Sequence, residues 1–150
     1  MAINSQIKIL RDNLTTQIGA RAALSGVKVF KFPPADEAPK TEMIFLADGS
    51  SSMDFETFGK VYEENLDMTI FCYALKAGAG DAVAAAARDR ALELAQEIID
   101  ELADDSTING AVLVSRVRSF SEENGLSDEG RFCQIEIQVE AEAILGVNNG

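Results

Sequence analysis

The chain has 150 residues, 47% of them hydrophobic and 25% charged, which excludes a disordered polymer and predicts one domain, residues 1–150, with a core that needs no metal or disulfide staple. A formal net charge of −12 argues against binding nucleic-acid phosphates, because that affinity comes from counterions released around Lys and Arg. There is no histidine, so the commonest metal ligand and neutral-pH proton shuttle is missing, and the two cysteines, Cys72 and Cys133, read as reduced small hydrophobes inside strands of a cytosolic protein.

In chain order, the start Met-Ala-Ile-Asn-Ser-Gln has no basic segment followed by an apolar run, so no signal peptide is expected. Asn4 or Ser5 can cap a first helix with Ile7, Leu10, Leu14 and Ile18 at helical spacing, predicted to run to about Leu24 and to end at Gly26. A short strand Val27 to Phe32 is halted by Pro33 and Pro34. An apolar strand Met43 to Leu46 leads into a predicted soft loop, Asp48 to Asp54. From about Phe58 to Leu75 the chain reads as extended, with both faces apolar toward its end, so that end is expected to be covered on both sides. Gly78 and Gly80 break the strand, and Asp81 is the expected cap of a second helix to about Leu102, whose wide apolar stripe suits a sheet.

The turn-rich segment Asp105 to Gly110 precedes a predicted apolar strand, Ala111 to Val114, and a polar tip, Ser121 to Gly130. The return strand Arg131 to Leu145 alternates strictly: Cys133, Ile135, Ile137 and Val139 share one face, while Gln134, Glu136, Gln138, Glu140 and Glu142 share the other. At ~3.3 Å per residue it spans roughly 40 Å, more than a small core requires. The order predicts an α+β fold: a mainly antiparallel sheet of about five strands, some long, with two helices packed on one face. No apolar stretch reaches the ~18 residues of a membrane span, so no membrane is expected as a partner.

Three motifs suggest chemistry. Asp48-Gly-Ser50-Ser-Ser52 looks like the metal-ion-dependent adhesion site of von Willebrand A domains, whose oxygens suit Mg²⁺. That family places a helix directly after the motif, whereas a strand is predicted here, so a solvated turn explains the same residues. Gly78-Ala-Gly80 sits between strand and helix as a dinucleotide loop would, but Val83 stands where Gly or Ala belongs. The row Glu136, Glu140, Glu142 lacks the contrasting environments that separate acid from base. Arg116 and Arg118 are expected to face it across the sheet. No serine has an activating base beside it, so neither an enzyme nor a cofactor is expected.

The segment Asp105-Ser-Thr-Ile-Asn-Gly110 with its apolar strand, then Ser127-Asp-Glu-Gly130-Arg131 leading into the alternating strand, resembles tail terminator proteins of long-tailed bacteriophages. Ser106 and Asn109 depart from that family's turn, which carries a proline and a glycine at these positions. The resemblance implies a structural virion protein, assembled in the host cytoplasm. It would form a homo-hexameric ring that caps the tail tube, ends tube polymerisation and joins the tail to the head connector protein. DNA would pass through an acidic lumen without specific binding. The residues expected at subunit or tube interfaces are Phe55 and Phe58, from the loop Asp48 to Phe58, and Glu122, Glu123, Asn124, Leu126 and Asp128, from the tip. Two readings stand beside it: another head–tail connector or completion protein, and a small metal- or ligand-binding module using the Asp48–Asp54 loop.

Overall fold

The structure, a computed structural model, describes residues 5–35, 41–56 and 61–146. The elements are α1 (Ile7–Gly19), a 3-10 turn (Ala22–Leu24), β1 (Lys28–Phe30), β2 (Glu42–Glu56), β3 (Val61–Lys76), α2 (Asp81–Asp104), β4 (Val114–Ser127) and β5 (Gly130–Gly146). The strands form one sheet in the order β1-β2-β3-β5-β4, with β1 parallel to β2 and every other pair antiparallel. This is the α+β architecture that the element order predicts.

Period-two alternation sorts the side chains. On β3, Leu66, Met68, Ile70 and Cys72 are fully buried, and they lie opposite Ala141, Val139, Ile137 and Ile135 of β5. Helix α1 lays Leu10, Leu14 and Ile18 on this face, and α2 adds Ala87, Ala91, Leu94, Ile98 and Leu102, so all join one apolar cluster. Each fully buried Leu or Ile contributes about 1.5–3 kcal/mol relative to exposure. The alanines of α2 let its backbone come close to the sheet.

Four local expectations are corrected. Helix α1 ends at Gly19 rather than Leu24: glycine is a poor helix residue, and Arg21 turns to an extended conformation (ψ 129°) that aims its guanidinium at Glu97, Glu101 and Asp104 of α2. The cap of α2 is Gly80, and Asp81 lies one residue inside, where its charge favours the helix dipole without a side-chain cap bond. Ala111 and Val112 are buried in a turn, and β4 starts only at Val114.

The largest correction concerns Asp48 to Asp54. It is a continuation of β2, paired with β3 from Gly49–Met68 to Glu56–Val61 after a bulge between Leu46 and Gly49. Ladder pairing overrides the turn-prone composition. Gly49 has a packing reason: a Cβ there would stand 3.0 Å from Ile7 and 3.1 Å from Met68.

Candidate assembly surfaces

Among the described residues the sheet has two open edges. β1 covers β2 only from Met43 to Phe45, and β4 pairs with β5 alone. Unpaired edge amides and carbonyls are ready partners for another strand. After the bulge between Val117 and Ser119, β4 is exposed along most of its length.

The residues expected at interfaces distribute as follows. Glu122, Glu123, Asn124 and Leu126 are exposed on β4, Leu126 at 58%, and Asp128 is exposed in the two-residue turn before β5. The expected polar tip is therefore mostly regular edge strand. By register, Glu122, Asn124 and Leu126 share the face that carries α2, whereas Glu123 lies on the other. Phe55 belongs to β2 through its backbone pairing with Tyr62, and Phe58 lies outside the described residues. These positions are not brought together: the β2–β3 hairpin and the β4–β5 hairpin turn at opposite ends of the sheet.

The face away from the helices is half charged and half aromatic. Near Asp67, Arg116 meets Glu140 at 2.5 Å as expected, but Arg118 reaches over β5 to Asp67 of β3 at 3.6 Å. Toward the other end, Phe45 stacks on Phe71 (5.1 Å between centroids) and Tyr73 on Phe132 (5.7 Å). Among the described residues no helix covers this end. Pro33, Pro34 and Ala35 border a depression of about 370 Å³ over Phe45 and Tyr73, which leaves the aromatics half-buried. Burial raises the Tyr73 phenol above its ordinary value, helped by the charge of Glu129.

A second surface had no sequence signal beyond scattered cations. At the α1–β1 edge, Lys8, Arg11, Lys31 and Phe32 line a depression of about 540 Å³ beside Gly49. The Arg11 guanidinium lies 4.6 Å from the centre of the Phe32 ring and donates to the carbonyls of Lys31 (2.7 Å) and Ala47 (2.5 Å). Its pKa is lowered by burial, an effect opposed by Asp48 and Asp12.

The tempting motifs resolve into structure. Asp48, Ser50 and Ser52 are spread along extended chain, with Ser50 opposite Asp67 and Ser52 opposite Asn65, instead of converging in a loop. Among the described residues no three His, Cys, Asp or Glu side chains are grouped to hold a metal ion. Gly78, at φ 114°, and Gly80 form the turn into α2, with Val83 packed against Gly78. The Asp105–Gly110 segment is a turn through three successive left-handed residues, Ile108, Asn109 and Gly110. Asp105 organises it, accepting hydrogen bonds from the Thr107 hydroxyl (2.7 Å), the Asn109 amide (2.9 Å) and the Gln17 amide side chain (3.0 Å). These bonds pull its pKa down to about 2.

No family model matches the sequence, and no curated protein matches it either. Among solved structures, the chain is similar in fold to a chain of the virion of a native gene transfer agent particle. The TM-score is 0.54 and the identity 14%, and the match covers 91% of this chain and 95% of that one.

Proposed function

We propose that this chain is a structural virion protein, the subunit of a ring that caps a phage-like tail tube, ends its polymerisation and joins the tail to the head connector. The observation that carries the reading is the fold likeness to a virion chain over nearly the full length of both, reached independently of the tail-terminator resemblance in the Asp105–Gly110 turn and the β4–β5 hairpin. Long strands with open edges suit a protein whose partners are other subunits. In this reading the chain has no catalytic role. Copies carrying −12 each would make an acidic lumen through which DNA passes with little adhesion, and their mutual repulsion would make assembly sensitive to ionic strength.

The test is to add the purified chain to tail-tube subunits during polymerisation and to measure tube length by electron microscopy. A terminator gives short tubes carrying one ring-shaped cap, with a ring mass near six times the 16.1 kDa chain. Tubes of unchanged length with no cap defeat the terminator role. Binding of the chain to a head connector alone would then favour the other connector reading.

A further inference from the structure

The two edges of the sheet carry opposite chemistry. At the α1–β1 edge, Lys8, Arg11 and Lys31 line a depression with Phe32, which is 59% exposed. Only Lys31 among the three cations has a carboxylate within ion-pair distance among the described residues, Asp12 at 3.0 Å. At the β4 edge, Phe120 and Leu126 are 56% and 58% exposed, and Glu122, Glu123, Asp128 and Glu129 lie among and beside them. A chain of strongly negative net charge thus gathers a basic, aromatic patch at one edge and an acidic, apolar one at the other. Three of the seven large exposed hydrophobics among the described residues lie in these two patches.

The Phe120 end of the β4 edge also shares a level with the basic patch. Leu46 is opposite Ile70, Ile70 opposite Ile137 and Ile137 opposite Phe120, so one row crosses the sheet from beside the basic patch to the acidic edge. Phe120 and Glu122 share the helix-bearing face by register, the face on which α1 lies.

We infer that the α1–β1 edge of one copy docks against the β4 edge of the next copy of this chain, Lys8 and Lys31 meeting Glu122 while Phe120 covers Phe32. This rests on the ring reading above and names the contact that would build it. The interface is heterologous, because each copy uses two different edges, and such contacts either close into rings or run on as filaments. The shared level favours closure: a neighbour rotated about an axis along the strands meets its partner without sliding.

Charge-swapped chains test the inference. One variant carries Lys8→Glu and Lys31→Glu, the other Glu122→Lys, all at exposed positions. Light scattering with sizing chromatography at low salt is run on wild type, on each variant alone and on an equimolar mixture. The expected result is a wild-type species heavier than a dimer, 16.1 kDa particles from each variant alone, and return of the heavy species in the mixture, where reversed edges match again. Misfolded chains could not restore it. Variants that assemble as wild type does would overturn the edge pairing and leave the ring reading standing. A wild type that stops at a dimer would overturn both. A wild type that stays monomeric at every concentration would overturn the pairing as a contact sufficient by itself, and the ring would then have to form on its tube.

Discussion

The Ser51 hydroxyl on β2, an exposed residue, donates to the carboxylate of Glu64 on β3 at 2.5 Å, and Glu64 itself has no solvent exposure. The same carboxylate accepts the Ser5 hydroxyl and, at 2.8 Å, the Gln6 amide, so it ties the start of α1 to the far part of the β2–β3 hairpin. Ser51→Ala removes one of three donors to a buried carboxylate and is expected to cost about 1.5–3 kcal/mol. Glu64→Ala leaves the Gln6 amide without its acceptor and should cost at least as much. Urea unfolding of the two single variants and the double variant checks this. Costs that simply add would mean that the bond does not couple the two strands.

Acid should loosen the Asp105 turn. The hydrogen bonds from Thr107, Asn109 and Gln17 favour the ionised carboxylate and set its folded pKa to about 2, against 3.8 for an unperturbed aspartate. A folded pKa below the unfolded one gives stability that is fully present above about pH 4 and is lost as pH falls toward 2. Asp105→Asn should therefore be less stable than wild type at pH 7, with the difference shrinking below pH 4. Parallel unfolding curves at pH 7, 4, 3 and 2 measure it, and a difference that stays constant over that range would contradict the assignment.

Gly125 and Phe132 face each other across β4 and β5, and the Phe132 ring fills the space that a side chain at 125 would need. The ring then rests on Tyr73. Gly125→Val is expected to push Phe132 off Tyr73 and to destabilise the hairpin by about 1–3 kcal/mol. Tyr73 fluorescence and urea midpoints report the two effects separately. An unchanged midpoint would mean that the ring moves aside freely.

The residues explain which features could be read from the sequence. Strict alternation from Arg131 to Leu145 marked β5 and its buried face, and the stripe Ala87, Ala91, Leu94, Ile98 marked α2, because in both one periodicity decides burial. The second half of β2 was hidden, since Gly-Ser-Ser-Ser has the composition of a turn and becomes strand only through pairing with β3 and through the inward bond of Ser51. The exposure of Glu122 to Leu126 was legible as polarity, but their place on a free edge follows from the strand order. The basic patch joins Lys8 and Arg11 of α1 to Lys31 and Phe32, about twenty residues later, and no local pattern announces that meeting.

The cysteines give a readout of core opening. Cys72 and Cys133 are free and have no solvent exposure; Cys133 lies opposite Ala74, two pairs along from the Cys72–Ile135 pair. Burial raises both thiol pKa values, that of Cys133 to about 11, so little thiolate exists at neutral pH. Thiol reagents at pH 8 are therefore expected to label neither residue in the folded protein, and to label both at least about a hundredfold faster in denaturant. The two thiols sit on adjoining central strands beneath α2 and should react together, at the rate at which that region opens. Fast labelling of Cys133 alone would show instead that the β4 side lifts away from α2 while β3 stays covered, and the single-cysteine variants Cys72→Ala and Cys133→Ala would distinguish the two cases.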